Sequence, residues 1–212
     1  MNKLFFLFGS ALMVMGLSFS FAQSINLQQL LKEKKLITYD QHVIPLTDGG
    51  KKGLSVERIV WLKDVTFSNG TVEVDLRGKD EFQKSFLGIA FHGVDTVTYD
   101  AVYFRPFNFR AEDPVRKIHA VQYVSEPDFP WHKLRDEKNG IYEKAVNPAP
   151  LGSDWFHARI EIKDREIVVY VNHSTTPSLT VAKLNDRTSG MIGLMNVGLN
   201  GDFANLVIKK TK

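Results

Sequence analysis

Three consecutive segments decide the fold of this chain, and each reads as a β-strand: SFLGIAFHG (85–93), YDAVYFRPFNF (99–109) and KIHAVQYVS (117–125). Each segment alternates two sets of residues at the two-residue period of a strand, so the sets lie on opposite faces of a sheet. In the first strand Leu87, Ile89 and Phe91 form an apolar set, and His92 is predicted on the other face. An antiparallel sheet that packs on one face leaves its second face free to receive a polar ligand.

The non-core faces of the second and third strands carry planar hydrogen-bonding groups. Tyr103 and Arg105 alternate with apolar residues in the second strand, as Gln122 does in the third. A guanidinium is a fork of donors that grips vicinal hydroxyls or a carboxylate, and a glutamine amide both donates and accepts. The alternative for Arg105 is a salt bridge to an acid such as Asp100 or Glu112.

One long segment without strand patterns, 126–153, follows the third strand. It contains Phe129, Trp131 and Tyr142, and aromatic residues are scarce in disordered segments. We therefore expect it to fold over the sheet and wall one side of the polar face, where Trp131 either stacks on a ligand or pins the loop to the sandwich. The candidate ligand-binding residues are His92, Tyr103, Arg105, Gln122 and Trp131.

Strand patterns dominate from Ile37 onward; the first predicted strand is Arg58–Leu62, and there are about ten in all, the three above included. Turn residues separate them, and there is little helix. This spacing predicts an all-β fold, an antiparallel two-sheet sandwich. The turn Lys163-Asp164-Arg165 predicts a hairpin over 155–172. We place one domain at 36–212, preceded by a leader or short helix at 23–35.

The first 22 residues have the pattern of a cleaved secretory signal. Lys3 is followed by an uncharged stretch, 4–22, which ends in the small-x-small site Ser20-Phe21-Ala22. A retained membrane anchor is the alternative, but glycines and serines dilute the stretch. We predict cleavage after Ala22, an exported protein that is periplasmic or secreted, and no membrane contact after cleavage.

Composition argues against a nucleic-acid-binding protein and against a disulfide-stabilised one. The 27 basic side chains nearly balance 24 acidic ones, and the lysine runs lack interleaved aromatic residues, so no nucleic-acid partner is predicted. The chain has no cysteine, and its stability must come from packing instead of disulfides. The sequence leaves the oligomeric state open.

The order of eight segments resembles the concanavalin A-like jelly roll, and within it the laminin-G-like and 3-keto-disaccharide-hydrolase-like domains of exported bacterial proteins. The segments are FSNGTVEVDL (67–76), GIAFHG (88–93), YDAVYFRP (99–106), AVQY (120–123), DWFHARIEI (154–162), VYVN (169–172), GMIGL (190–194) and FANLVI (203–208). The resemblance implies a curved sandwich whose concave sheet holds a carbohydrate site in many relatives. Its members include lectins, glycoside-active enzymes and adhesive modules, so the function must be argued from the site.

The acidic motif that could support catalysis is incomplete. Glu73-x-Asp75 resembles the acidic strand motif of laminarinase-type glycosidases, but Gly78 stands where that motif has its third acid, so we predict a solvent-facing structural role. The histidines lack metal-ligand spacing, and no metal or cofactor is predicted. The resemblance to laminin-G-like domains implies that the turns 48–50 and 200–202 could hold structural calcium, but both are ordinary turns first. We expect a carbohydrate-recognising domain; a glycoside-active enzyme and an adhesive module are the alternatives, and whether the chain is an enzyme stays open.

Overall fold

The computed structural model describes residues 21–39 and 42–211. Its strands are β1 Phe21–Ile25, β2 Leu36–Ile37, β3 Val43–Asp48, β4 Lys51–Val56, β5 Val60–Phe67, β6 Asn69–Arg77, β7 Ser85–Gly93, β8 Tyr99–Phe104, β9 Val121–Glu126, β10 Glu143–Lys144, β11 Phe156–Lys163, β12 Glu166–Val171, β13 Leu179–Ala182, β14 Gly190–Gly198 and β15 Gly201–Thr211. Its helices are α1 Leu27–Lys32, α2 Pro114–Lys117 and α3 Trp131–Glu137, with one 3-10 turn at Pro106–Asn108.

The strands form two antiparallel sheets. The eight-stranded sheet has the order β13-β12-β11-β6-β15-β4-β3, with β1 paired to β15, and the seven-stranded sheet has the order β10-β9-β8-β7-β14-β5-β2. One hydrophobic core lies between them, to which apolar residues of both sheets contribute, among them Val72, Val74, Leu87 and Ile89. The predicted all-β jelly-roll sandwich is confirmed, and burial of these alternating faces is the main force that holds the sheets together.

The three segments that decide the fold are neighbours at the centre of the seven-stranded sheet. β7 pairs with β8, and β8 pairs with β9, in antiparallel register. The predicted hairpin is also confirmed, because β11 pairs with β12 across the turn at Asp164-Arg165. Asp164 has a positive φ of 52°, a conformation that suits a tight two-residue turn.

Two parts of the chain are more regular than the sequence patterns indicate. Strands β3 and β4 form a hairpin before the first predicted strand, and the segment 126–153 contains both α3 and β10. Pro45 and Gly53 weaken the strand pattern of that hairpin, and a two-residue strand such as β10 is too short to show alternation.

The predicted signal segment, 1–22, falls almost wholly outside the described residues. From Phe21 the chain pairs with β15, and α1 follows, with the side chain of Leu27 buried in the core. Among the described residues no helix has the length and apolarity needed to span a bilayer.

Candidate functional site

A cavity of about 600 Å³ lies on the outer face of the seven-stranded sheet. Strands β7, β8, β9 and β14 supply its floor, and its walls come from the 3-10 turn, the end of α2 and helix α3. Six aromatic residues line it: Phe82, Phe86, Tyr99, Tyr103, Phe107 and Trp131. Three guanidiniums line it as well, those of Arg105, Arg116 and Arg135.

The register of the sheet brings one row of residues across the floor. Tyr103 lies opposite Gly88 on one side and Gln122 on the other, and Gln122 lies opposite Glu143. A Cβ atom at Gly88 would lie 2.0 Å from the carbonyl oxygen of Val102, so only glycine permits this close approach of β7 to β8. The row therefore brings polar residues that are far apart in sequence side by side.

Tyr103, Arg105 and Gln122 form a hydrogen-bonded cluster at the cavity. The Tyr103 hydroxyl donates to Gln122 Oε1 over 2.8 Å and accepts from Arg105 Nη2 over 2.6 Å. Arg105 Nη2 also donates to Gln122 Oε1. Burial raises the pKa of Tyr103 to about 12, so its hydroxyl keeps its proton at neutral pH and remains a donor.

Glu143 is the carboxylate that neutralises this cluster. It accepts two hydrogen bonds from Arg135, at 2.9 and 2.7 Å, and lies 3.5 Å from Arg105 Nη1 and 2.8 Å from His119 Nδ1. Burial acts to raise the pKa of Glu143, but the hydrogen bonds and charge of Arg135, with the charges of His119 and Arg105, hold it below its usual value. Glu143 is therefore an anion shared by three basic groups. These residues, Tyr103, Arg105, His119, Gln122, Arg135 and Glu143, are called the cavity network below.

Trp131 forms part of the wall that helix α3 builds. Its side chain is 47% exposed, and the Arg135 guanidinium lies 5.1 Å from its ring centre. The carbonyl oxygen of Trp131 accepts a hydrogen bond from Gln122 Nε2 at 3.4 Å. Leu134 of the same helix is buried in the core, which fixes α3 against the sheet and keeps the Trp131 ring at the cavity.

His92 does not join the other four candidate residues. The register between β14 and β7 shifts between Met191 and Gly193, which marks a β-bulge, and His92 has a left-handed φ of 49°. A bulge interrupts the two-residue alternation, so His92 turns away from the cavity and is fully buried. Its Nε2 donates to the carbonyl oxygen of Ser68 over 2.7 Å, and its ring stacks on Phe67.

His92 belongs to a second polar cluster, on the core side of the same strands. Its Nδ1 lies 3.4 Å from Asp100 Oδ2, and Asp100 Oδ1 accepts from Tyr123, Asn185 and Arg187. Burial acts to raise the pKa of Asp100, but these partners hold it below its usual value. The residues of this inner network are His92, Asp100, Tyr123, Ser125, Asn185 and Arg187.

Arg105 forms a salt bridge, but its partner is not one of the acids expected from the sequence. Arg105 pairs with Glu143 instead of Asp100 or Glu112, since Asp100 lies on the core side and β10 brings Glu143 alongside Gln122. The Arg105 side chain pairs with an acid and also lines the cavity, so its role in ligand binding stays a prediction. Sequence reasoning missed Glu143, which lies in the segment 126–153 and has no local signal.

The acidic strand motif lies elsewhere in the molecule. Glu73 and Asp75 belong to β6 of the eight-stranded sheet, where Lys209 donates to Glu73, and Lys51 donates to Asp75 while His157 lies 2.9 Å from it. Val72, Val74 and Leu76 of the same strand are buried in the core, but Asp75 does not face solvent as predicted: it is buried beneath Lys51, His157 and Asn205. Within the described parts of the chain, no group of three or more His, Cys, Asp or Glu side chains is arranged to hold a metal ion.

The fold is that of the concanavalin A-like jelly rolls. The sequence matches no protein-family model and no curated protein. Among solved structures, the chain is similar to a protein of unknown function with a galectin-like fold from Bacillus subtilis, with a TM-score of 0.59 and 11% identity over 89% of this chain and 95% of the other.

Two further structures share the fold. The carbohydrate-binding module CBM66 from Bacillus subtilis has a TM-score of 0.56 and 15% identity, over 82% of this chain and 95% of the module. A native glycosidic hydrolase has a TM-score of 0.53 and 14% identity, over 91% and 96%. The TM-scores show a common fold, and at these low identities the narrower resemblance to laminin-G-like and 3-keto-disaccharide-hydrolase-like domains stays a prediction.

Proposed function

We propose that this protein is an exported carbohydrate-recognising domain that binds a glycan in the cavity on the seven-stranded sheet. One observation carries the proposal: Tyr103, Arg105 and Trp131 line the same cavity, and Gln122 holds the first two in place through hydrogen bonds. A sugar ring presents hydroxyls at its edge and C–H groups on its faces. Fixed planar donors and aromatic rings in one cavity match both surfaces.

The fold supports the proposal without deciding it. The similar structures include a carbohydrate-binding module and a glycosidic hydrolase, and they share only the sandwich with this chain. The cavity volume of about 600 Å³ is in the usual range for a small-molecule site. Export rests on the sequence of residues 1–22.

A glycoside-active enzyme is the second candidate, because the cavity also holds groups suited to proton transfer. His119 lines the cavity, its Nδ1 lies 2.8 Å from Glu143 Oε1, and burial lowers the pKa of its imidazole below the usual value. Glu126 lines the cavity as well, and burial raises its pKa above its usual value. A raised carboxyl pKa favours the protonated form that a general acid needs.

The test is a glycan-array screen of residues 23–212, followed by calorimetry on each hit. Arg105→Ala is expected to weaken binding by about ten- to a hundredfold, since hydrogen bonds from a charged donor contribute about 1.5–3 kcal/mol. The matched control is Arg110→Ala: Arg110 donates to the carbonyl oxygen of Ala149 and lies outside the cavity lining.

Failure of every glycan to bind would contradict the proposal, as would a folded Arg105→Ala variant that binds like the unchanged protein. Thermal unfolding of both variants separates loss of binding from loss of fold. Product analysis on each bound glycan decides between the two candidates, because a binding domain returns its ligand intact and an enzyme cleaves it.

A further inference from the structure

The cavity carries more positive than negative charge. Arg105, Arg116 and Arg135 all line it, whereas Glu126 is the one acidic residue among the described residues that do so. Glu143 lies beside the cavity, and its single charge is shared among Arg105, Arg135 and His119. With both carboxylates ionised, the three guanidiniums still leave an excess of one positive charge.

Arg116 is the source of that excess. Its Nη2 donates to the carbonyl oxygen of Phe107 over 2.8 Å, and its Nε donates to Asn108 Oδ1 over 3.3 Å. Both acceptors are neutral, and within the described residues no ion pair joins Arg116 to an acid. Arg105 and Arg135 differ, because each of them pairs with Glu143.

Aromatic rings hold the two outer guanidiniums in place. Arg116 lies 4.3 Å from the ring centre of Phe82, and Arg135 lies 5.1 Å from that of Trp131, and both rings also line the cavity. A guanidinium stacked on a ring loses little further freedom when it forms hydrogen bonds at its edge. The two stacked pairs are therefore positioned before any ligand arrives.

We propose that the saccharide bound in this cavity is anionic, with a carboxylate or sulfate group that pairs with Arg116. This inference rests on the proposed function and narrows its ligand class. Planar guanidiniums suit carboxylate and sulfate oxygens, and their hydrogen bonds are stronger when donor and acceptor are both charged. The low polarity of the aromatic walls strengthens the attraction further.

The test compares saccharides that differ only in charge. Each uronate-bearing oligosaccharide is paired with its carboxyl-reduced form, and each sulfated one with its desulfated form, and binding is measured by calorimetry. The acidic member of a pair is expected to bind at least about tenfold more tightly. That advantage should shrink when salt is raised from about 0.02 M to about 0.5 M, because ions screen the attraction.

Arg116→Gln is expected to remove most of the difference between the members of a pair. Lys117→Gln is the matched control, since it removes the same charge from the next residue of α2, which is exposed and outside the cavity lining. Comparing the uronate pairs with the sulfated pairs identifies which anionic group the cavity binds. The salt dependence of the unchanged protein needs no variant, so the test stands even if Arg116→Gln unfolds.

Each result decides between the two proposals. Neutral members that bind as tightly as acidic ones at every salt concentration would overturn this inference and keep the proposed function. Equal effects of Arg116→Gln and Lys117→Gln would overturn the assignment to Arg116. If no member of any pair binds, this inference fails, and the proposed function fails with it only when no other glycan on the array binds.

Discussion

The inner network and the cavity network are built on the same two strands and differ in what surrounds them. Asp100 and Tyr103 belong to β8, and Gln122 and Tyr123 belong to β9. Alternation along each strand sends Asp100 and Tyr123 toward the core, and Tyr103 and Gln122 toward the cavity. Each network contains a buried carboxylate, a buried tyrosine and an arginine.

The two networks differ in whether a ligand or water can reach them. His92 and Asp100 are fully buried, and Asn185 and Arg187 fasten the segment after β13 to β8 and β9 from the core side. The cavity network adjoins a space that a ligand or water can enter. We infer that the inner network serves stability and the cavity network serves recognition. Equivalent substitutions should therefore lower the free energy of unfolding in the inner network and lower ligand affinity in the cavity network.

The largest expected effect comes from Asp100→Ala. The change leaves Arg187 without its buried acid, and removing one partner of a buried ion pair typically costs about 3–5 kcal/mol. We expect a loss of that order in the free energy of unfolding, measured by urea titration. Asp186→Ala is the control, since the Asp186 side chain is 89% exposed in its pair with Arg165 and should matter little. Equal effects of the two substitutions on the free energy of unfolding would contradict a structural role of the inner network.

We expect smaller effects when each tyrosine is changed to phenylalanine: mainly on stability in the inner network and mainly on affinity in the cavity network. Tyr123→Phe removes a donor to Asp100 and should lower the free energy of unfolding by about 1–3 kcal/mol with unchanged affinity. Tyr103→Phe should cost less stability, because water in the cavity can replace its hydroxyl, and should lower affinity. Urea titration and calorimetry on both variants test this, and a loss of affinity confined to Tyr123→Phe would reverse the assignment.

The smallest effect on stability is expected from Trp131→Ala, because this side chain is half-exposed. Its stacking on a sugar should make the change cost about 1–3 kcal/mol of binding free energy. Ile141→Ala is the control, since Ile141 is exposed in the same segment and lies outside the cavity lining. If Trp131→Ala unfolds the protein without changing affinity, Trp131 pins the loop and has no part in recognition.

The sequence predicts the sheet better than the site. Alternation of apolar residues in β7, β8 and β9 correctly separates the core face from the outer face, although most residues of these strands are buried on both faces. It fails at His92, where one extra residue in β7 changes the register and no local signal marks the bulge. Glu143 is likewise invisible, since only the paired strands bring it to Arg105, which lies 38 residues earlier in the chain.

The most direct test of glycan binding in the cavity uses the three tryptophans as reporters of where a glycan binds. Trp131 lies at the cavity, Trp61 is fully buried, and Trp155 lies on the eight-stranded sheet, where its indole nitrogen donates to Asp48. Their indole N–H signals are followed by NMR while a glycan from the array is added. Binding in the cavity should shift the Trp131 signal most and leave the Trp155 signal in place. A shift of Trp155 with Trp131 unmoved would contradict it.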